Sequence, residues 1–226
     1  MLAQRLNATL QSLENVAIAS HRPLPRLLAV SKTQTATAVA TLAAAGQRAF
    51  GENYVQEAQA KIRALADAGL EWHLIGHLQS NKAEVAADLF DWVQTVDRLK
   101  LVAALARFRP PHRPPLNVLV QVNIDDEASK HGCAPEQVLE LAAAIAQEPR
   151  LVLRGLMAIP TPHPDLESRR PAYRDMAVLF DTLVARHSSV DTLSMGMSDD
   201  FPLAIAEGAT MVRIGTALFG PRAGKP

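Results

Sequence analysis

The sequence predicts an α/β fold, a single-domain (β/α)8 TIM barrel, on three observations. Eight short apolar segments alternate with longer segments of helical periodicity along the chain. Strands that are apolar on both faces and are joined by helices are typical of a parallel sheet. The length of 226 residues also fits a closed α/β barrel, since such barrels contain roughly 200–250 residues. A doubly wound open sheet is the alternative.

The individual elements follow from local patterns. Leu2, Leu6, Leu10, Leu13 and Val16 have helical spacing, which predicts an amphipathic N-terminal helix over 1–20. The barrel is expected over 26–220, with no linker inside the single domain 1–226. Its predicted strands are 26–32, 47–53, 71–77, 89–95, 116–123, 150–159, 190–196 and 211–215. The predicted helices between them are 35–45, 54–68, 81–88, 97–107, 135–147, 167–187 and 199–207.

Composition argues against several classes of protein. The 23 basic and 23 acidic residues balance, whereas general nucleic-acid binding requires an excess of Lys and Arg. No run of about 18 apolar residues predicts a membrane span, and polar residues throughout the first helix are unlike a signal peptide. The single cysteine, Cys133, cannot form an internal disulfide, so we expect a cytoplasmic protein.

Polar residues stand at the predicted carboxyl ends of the strands, where barrels carry their chemistry. Lys32 ends the apolar run Leu27–Val30. A solvated lysine at the end of a strand is one interpretation. The other is an amine partly desolvated in the barrel mouth, which loses its proton more readily and can form a Schiff base with a carbonyl.

The last two strand ends predict an anion site. The segment Ser194-Met195-Gly196-Met197-Ser198 follows strand seven, and Gly215-Thr216 follows strand eight. Barrels often bind phosphate with these two loops, through backbone N–H groups and hydroxyls. An ordinary pair of turns is the alternative. Asp199 and Asp200 would repel phosphate if they pointed inward, so their predicted role is to cap the next helix.

Other reactive residue types carry weaker signals. His73 and His77 are four residues apart but lack the glutamate of a zinc-binding helix, so we predict no metal site. Cys133 has only His131 as a nearby histidine in the sequence, which is a weak basis for a catalytic pair. We expect neither residue pair to carry the chemistry of the protein.

Six sequence blocks, taken together, resemble the signature of the pyridoxal phosphate homeostasis family. Their order along the chain is that of the family, and they extend from Leu27 to Gly220. Long motifs in a conserved order are far more specific than a single glycine pattern. The blocks are LLAVSKTQ, FGENYVQEA, WHLIGHLQSNK, VQVNIDDEASKHG, GLMAIP and LSMGMSDDFPLAIAEGATMVRIGTALFG.

The resemblance implies a barrel like the N-terminal domain of alanine racemase, which is fold type III among proteins that bind pyridoxal 5′-phosphate (PLP). By motif position, Lys32 forms the Schiff base with PLP and Arg213 faces the pyridine nitrogen. Asn53 matches an asparagine near the lysine and the ring, and His73 falls beside the ring. The segments that bind the phosphate correspond to Ser194, Gly196, Met197, Ser198, Gly215 and Thr216.

These residues predict a binding protein rather than a strong catalyst. If Arg213 donates a hydrogen bond to the pyridine nitrogen, that nitrogen stays unprotonated, and the neutral ring loses much of its capacity to stabilise a carbanion. Racemisation also needs a second acid or base, and Tyr54 and Tyr173 fall on predicted helices with packing or surface roles. We therefore expect no catalytic residues.

The function that we expect is to buffer, carry or deliver PLP and so to maintain vitamin B6 and amino-acid balance. The expected partners are PLP, free amino acids and PLP-dependent apo-enzymes, and the expected state is a monomer. The alternatives are a weak amino-acid racemase or other PLP enzyme, and a barrel that binds phosphate without PLP.

Overall fold

A computed structural model describes residues 1–127 and 131–220, and its eight parallel strands close into a barrel. Each strand pairs with the next along the chain, and the last pairs with the first, which confirms the closed barrel over the open sheet. Residues 128–130 of the VQVNIDDEASKHG block and residues 221–226 lie outside the described part. The strands are β1 (Arg26–Val30), β2 (Ala49–Glu52), β3 (Glu71–Leu74), β4 (Trp92–Val96), β5 (Leu116–Val122), β6 (Leu151–Ala158), β7 (Thr192–Ser194) and β8 (Met211–Ile214).

Helices surround the barrel and follow the predicted order. The structure adds a short helix after β8 that the sequence analysis does not predict. The predicted helix 54–68 ends as an α-helix at Ala64, and a 3₁₀ turn continues it to Gly69, which has a left-handed backbone. The helices are α1 (Leu2–Ala19), α2 (Ala36–Ala44), α3 (Val55–Ala64), α4 (Ala83–Leu89), α5 (Leu99–Phe108), α6 (Val138–Ala146), α7 (Arg170–Val184), α8 (Phe201–Ala206) and α9 (Thr216–Phe219).

The N-terminal helix α1 packs across α2, α8 and α9. Its buried positions are Leu6, Thr9, Leu13 and Ala17. The predicted apolar stripe is therefore wrong at Leu10, which is exposed, because the helix turns Thr9 rather than Leu10 toward its neighbours. Among the described residues, no helix has the length and apolar character needed to cross a membrane.

Apolar side chains pack on both sides of the strands. The largest cluster lies between the strands and the helices and includes Phe50, Leu74 and Leu105. Two smaller clusters, which consist of residues on or next to strands, fill the barrel interior around Leu28 and Trp92. The remaining space inside the barrel is occupied by polar side chains, and these connect to the candidate site.

Candidate functional site

An open cavity of about 190 Å3 lies at the carboxyl ends of the strands. It brings together seven of the ten residues predicted for the site. They come from loops that are far apart in the sequence, as the barrel geometry requires. The cavity is lined by Val30, Lys32, Asn53, Ile75, Ile159, Met197, Ser198, Asp199, Arg213, Gly215 and Thr216.

The other three predicted residues do not line this cavity. Ser194 and Gly196 contact Arg213: Ser194 Oγ accepts a hydrogen bond of 2.9 Å from its Nη1, and Gly196 O accepts one of 3.0 Å from its backbone N–H. His73 is fully buried on β3, two residues before Ile75. Inward-facing residues alternate along a strand, so Ile75 occupies the cavity wall and His73 lies in the layer beneath it.

The backbone on both sides of Lys32 is held by helix α3. Lys61 Nζ donates a hydrogen bond of 2.7 Å to Ser31 O, and Thr33 N–H donates one of 2.6 Å to Glu57 Oε1. Thr33 has a left-handed backbone, with φ of 65°, which is uncommon for a β-branched residue. These contacts hold the sharp turn after β1 and direct Lys32 into the cavity.

Lys61 belongs to a buried charge cluster that the sequence analysis missed. Its ammonium also contacts Glu52 Oε1 at 2.8 Å and Glu57 Oε1 at 2.7 Å, and Ser31 Oγ donates to Glu52 at 2.5 Å. Burial raises the pKa of Glu52, although Lys61 and Ser31 oppose that rise. Lys61 Nζ thus has three acceptors, which are one backbone carbonyl and two carboxylates. The available signal was the Glu57–Lys61 spacing, which places both residues on one face of a helix.

Arg213 is a buried, charged donor in the floor of the cavity. Burial lowers its pKa to about 10, which still leaves the guanidinium protonated at neutral pH. Nη2 donates a hydrogen bond of 2.8 Å to Ala158 O, in addition to the Nη1 contact with Ser194. Two anchored nitrogens hold the plane of the guanidinium in one orientation.

In the loop after β7, Asp200 does not have the role that the sequence predicts. This residue occupies the position before α8, but its side chain does not cap the helix. Its carboxylate instead accepts hydrogen bonds of 2.7 Å from Met197 N–H and of 2.7 Å from Arg169 Nη1. Asp200 therefore fixes the loop that precedes the helix. Asp199 is exposed and lies on the cavity wall.

Replacing Gly196 with alanine should loosen this loop. Gly196 has φ of 90°, and an added Cβ would lie 2.6 Å from Ala204 Cβ. The matched control is Gly208→Ala, because Gly208 has φ of 100° with no atom within 4 Å of an added Cβ. We expect Gly196→Ala to lower the free energy of unfolding by about 1–3 kcal/mol more than Gly208→Ala. Equal losses in urea denaturation would show that contact with α8 is unimportant.

His73 is held in the barrel interior by three neighbours. Its ring stacks on Trp92 with centroids 5.0 Å apart, Nε2 contacts Glu71, and Nδ1 lies 2.9 Å from Gln94 Nε2. Burial lowers the pKa of His73 below 6.5, although Glu71 raises it. The imidazole is therefore neutral at neutral pH.

The buried imidazole predicts a pH dependence of stability. The unfolded chain takes up a proton near pH 6.5 that folded His73 resists. Stability is thus retained above pH 6.5 and falls below it, by up to about 1.4 kcal/mol per pH unit. His73→Gln should flatten the slope of unfolding free energy between about pH 5 and pH 6.5. His112→Gln, which alters an exposed histidine, should retain the slope. Parallel curves for both variants would exclude His73 as the cause.

His77, His131 and Cys133 do not line the cavity. His77 stacks on His131 with ring centroids 3.7 Å apart, away from His73. Cys133 is buried, and burial raises the pKa of its thiol to about 12, so the thiol is not an activated nucleophile. Within residues 1–127 and 131–220, no three His, Cys, Asp or Glu side chains form a candidate metal site.

The chain is similar to known proteins in both sequence and structure. The family model described as alanine racemase, N-terminal domain, matches residues 4–223. The chain is 56% identical over 199 residues to the pyridoxal phosphate homeostasis protein of Escherichia coli (strain K12), with 87% of this chain and 85% of the relative covered. It is 48% identical over 227 residues to the protein of the same name from Pasteurella multocida (strain Pm70), with 98% and 97% covered.

A solved structure shows the same fold over the whole barrel. PipY of Synechococcus elongatus PCC7942, in its structure with PLP bound, superimposes with a TM-score of 0.83 and 36% sequence identity. The match covers 97% of this chain and 100% of PipY. The structure of PipY without PLP gives a TM-score of 0.87 at 37% identity.

Proposed function

The chain belongs to the alanine racemase N-terminal domain family and, within it, to the pyridoxal phosphate homeostasis proteins, and from this premise we propose that it binds PLP at Lys32. We further propose that it buffers, carries or delivers the cofactor and thereby maintains vitamin B6 and amino-acid balance. The observation that carries the proposal is the convergence of an amine, a buried guanidinium and two hydroxyl-bearing loops on one cavity.

The donor set fits the chemical groups of PLP. Bound PLP supplies an aldehyde that condenses with amines, together with a phosphate and a pyridine ring. Lys32 carries the amine that would hold the aldehyde covalently, and Asn53 lies on the same cavity wall. Ser198, Gly215 and Thr216 offer hydroxyl and backbone groups for the phosphate. In this proposal Ser194, Gly196 and Met197 shape the same loop.

Arg213 supports a site that restrains the reactivity of the cofactor. Its guanidinium is a donor with no lone pair to accept a proton, and the one carboxylate among the lining residues is exposed Asp199. A pyridine nitrogen held against Arg213 would receive a hydrogen bond rather than a proton. Without a protonated ring, removal of a proton from a bound amino acid is poorly stabilised.

The two tyrosines give little support to a racemase. Tyr173 is fully buried on α7, and burial together with a hydrogen bond to Asp200 raises its pKa. Tyr54 is 61% exposed next to α3, and neither phenol lines the cavity. General acid–base assistance is worth about 10²–10⁴-fold, so we propose that turnover of amino acids is at most slow.

We propose that the partners of the chain are free amino acids and PLP-dependent apo-enzymes. Free amino acids can displace Lys32 from the cofactor, which gives a route to release, and PLP-dependent apo-enzymes are the proposed recipients. We propose that the chain acts as a monomeric single domain in the cytoplasm. One buried cysteine without a disulfide supports this reducing compartment.

Covalent trapping tests the proposed binding site. Purified protein is mixed with PLP, reduced with borohydride and digested, and the modified peptide is identified by mass spectrometry. We expect the adduct on the peptide that contains Lys32. An adduct on Lys82 or Lys100 instead, or no adduct at all, would contradict the proposed site.

Transfer of the cofactor tests the proposed role. Protein loaded with PLP is added to an apo-enzyme, and the recovery of enzyme activity is compared with recovery from an equal amount of free PLP. We expect recovery from the loaded protein, accelerated by a free amino acid. Steady conversion of an amino acid by the protein alone at about 1 s⁻¹ or faster, which is an ordinary enzymatic rate, would favour the enzyme alternative.

A further inference from the structure

Five polar side chains form a continuous chain of hydrogen bonds through the barrel, which we name the axial chain. Its members are Arg213, Ser194, Gln94, His73 and Glu71. Arg213 Nη1 lies 2.9 Å from Ser194 Oγ, which lies 2.7 Å from Gln94 Oε1. Gln94 Nε2 lies 2.9 Å from His73 Nδ1, and His73 Nε2 contacts Glu71 Oε1. Since Glu71 begins β3, the chain runs from the cavity to the opposite end of the barrel.

The chemistry of Glu71 determines the direction of every bond. Its carboxylate pairs with Arg26 at 2.7 Å, and an ionised carboxylate can only accept. His73 Nε2 must therefore carry the hydrogen, and a neutral imidazole then accepts at Nδ1. Only the amide NH2 of Gln94 can donate to Nδ1, so its oxygen faces the other neighbour.

The bonds between Gln94, Ser194 and Arg213, nearer the cavity, have fixed directions as well. Gln94 Oε1 can only accept, so the hydroxyl of Ser194 must donate to it. The lone pairs of that oxygen are then directed at Arg213, whose guanidinium only donates. Each donor in the axial chain thus points toward Glu71, and none of the five side chains can reverse its role alone.

We propose that Gln94 and His73 are positioning residues for Arg213. This inference rests on the proposed function, because Arg213 is the residue that would face the pyridine ring. Ser194, Gln94 and His73 are all fully buried, so water does not replace a lost partner. Without Gln94, the Ser194 hydroxyl loses its acceptor and can rotate, and the Arg213 guanidinium loses one of its two anchors.

A purely structural role for Gln94 predicts a different result. If it only fills space, methionine of similar length would serve equally well, and Arg213 would be unaffected. Gln121 provides a matched control, because it is 6% exposed on the neighbouring strand β5 and lies outside the axial chain. Both Gln94→Met and Gln121→Met remove a buried amide, but only Gln94→Met interrupts the axial chain. A difference between the two variants therefore reports the effect of the axial chain.

The first measurement needs no cofactor. Nitrogen chemical shifts of the His73 ring, assigned with His73→Gln, report which nitrogen carries the hydrogen. We expect hydrogen at Nε2 in the wild-type protein. In Gln94→Met, the guanidinium hydrogens of Arg213 should exchange with solvent about 3–10-fold faster, in line with the loss of one buried hydrogen bond. A hydrogen at Nδ1, or unchanged exchange at Arg213, would overturn the inference.

The second measurement follows the site with PLP. Gln94→Met should shift the visible absorption band and weaken PLP binding by about 3–10-fold, whereas Gln121→Met should match the wild type. Gln94→Glu keeps an acceptor for Ser194, and one proton shared between the new carboxyl group and His73 Nδ1 keeps their hydrogen bond. Binding should therefore recover toward the wild-type value. A Gln94→Met protein with wild-type band and affinity would contradict the inference.

Failure of the two proposals can be distinguished. A wild-type protein that takes up no PLP contradicts the proposed function, while the His73 and Arg213 measurements still decide the axial chain. If Gln94→Met does not fold, the inference is tested by the nitrogen chemical shifts of His73 in the wild-type protein and by the Gln94→Glu variant. In that variant, PLP binding about 3–10-fold weaker than in the wild type would contradict the directed chain.

Discussion

Lys32→Ala protein should fold normally and carry no borohydride-trapped PLP. The physical reason is that Lys32 supplies the amine directed into the cavity, whereas buried Lys61 is held by Ser31, Glu52 and Glu57. Loss of the covalent link should weaken PLP binding by about tenfold or more, which corresponds to about 1.4 kcal/mol or more. Titration by absorbance and mass spectrometry after reduction provide the two measurements.

The control for this variant is Lys82→Ala, which removes a lysine from the adjacent polar cavity around Asn53 and His77. We expect Lys82→Ala to keep both the trapped adduct and the visible absorption band. Far-UV circular dichroism of both variants verifies the fold. A Lys32→Ala protein that still forms a stoichiometric adduct would place the reactive amine elsewhere and remove the basis of the proposed function.

Lys61→Met should cause the largest loss of stability. The substitution removes the cation that pairs with fully buried Glu52 and with Glu57. Removing one partner of a buried ion pair typically costs about 3–5 kcal/mol, because the remaining charge is left in a poorly solvated place. Domains of this kind have a total free energy of unfolding of about 5–15 kcal/mol. Urea denaturation at pH 7 should therefore show a large shift of the midpoint.

The pH dependence identifies the cause of that loss. Burial raises the pKa of Glu52 in the folded protein, and removal of Lys61 should raise it further. A raised folded pKa means that stability is recovered as the pH falls toward the unfolded value and is lost as the pH rises. The deficit of Lys61→Met should thus be smaller near pH 5 than at pH 8.

Two further variants complete this test. Glu52→Gln in the Lys61→Met background should restore part of the lost stability, because it removes the unpaired charge. Lys100→Met changes an exposed lysine on α5 and should alter stability by no more than about 0.5 kcal/mol. A deficit that is equal at both pH values and is not relieved by Glu52→Gln would mean that packing, not charge, explains the effect of Lys61→Met.

The candidate site was predictable where it depends on strand ends. Lys32 follows an apolar run, and the Ser194–Ser198 and Gly215–Thr216 segments follow strands, so their convergence at one end follows from the barrel itself. The role of Asp200 was not predictable in the same way, and the predicted cap of the next helix is wrong. The carboxylate of Asp200 turns back to Met197 and across to Arg169, and Arg169 reaches this place only through the packing of the segment before α7.

The amino-acid sequence by itself determined the alternation of eight strands with helices, because hydrophobic periodicity is a local property of each segment. It favoured a closed barrel over an open sheet, and the structure confirms the closure. Tertiary structure alone decided which polar residues meet inside the barrel. Gln94 and Ser194 are 100 residues apart in the sequence, and their hydrogen bond exists only when β4 and β7 face each other across a closed barrel. Contacts through a barrel interior depend on closure of the sheet and on which side chains point inward. No short segment of the sequence determines either property.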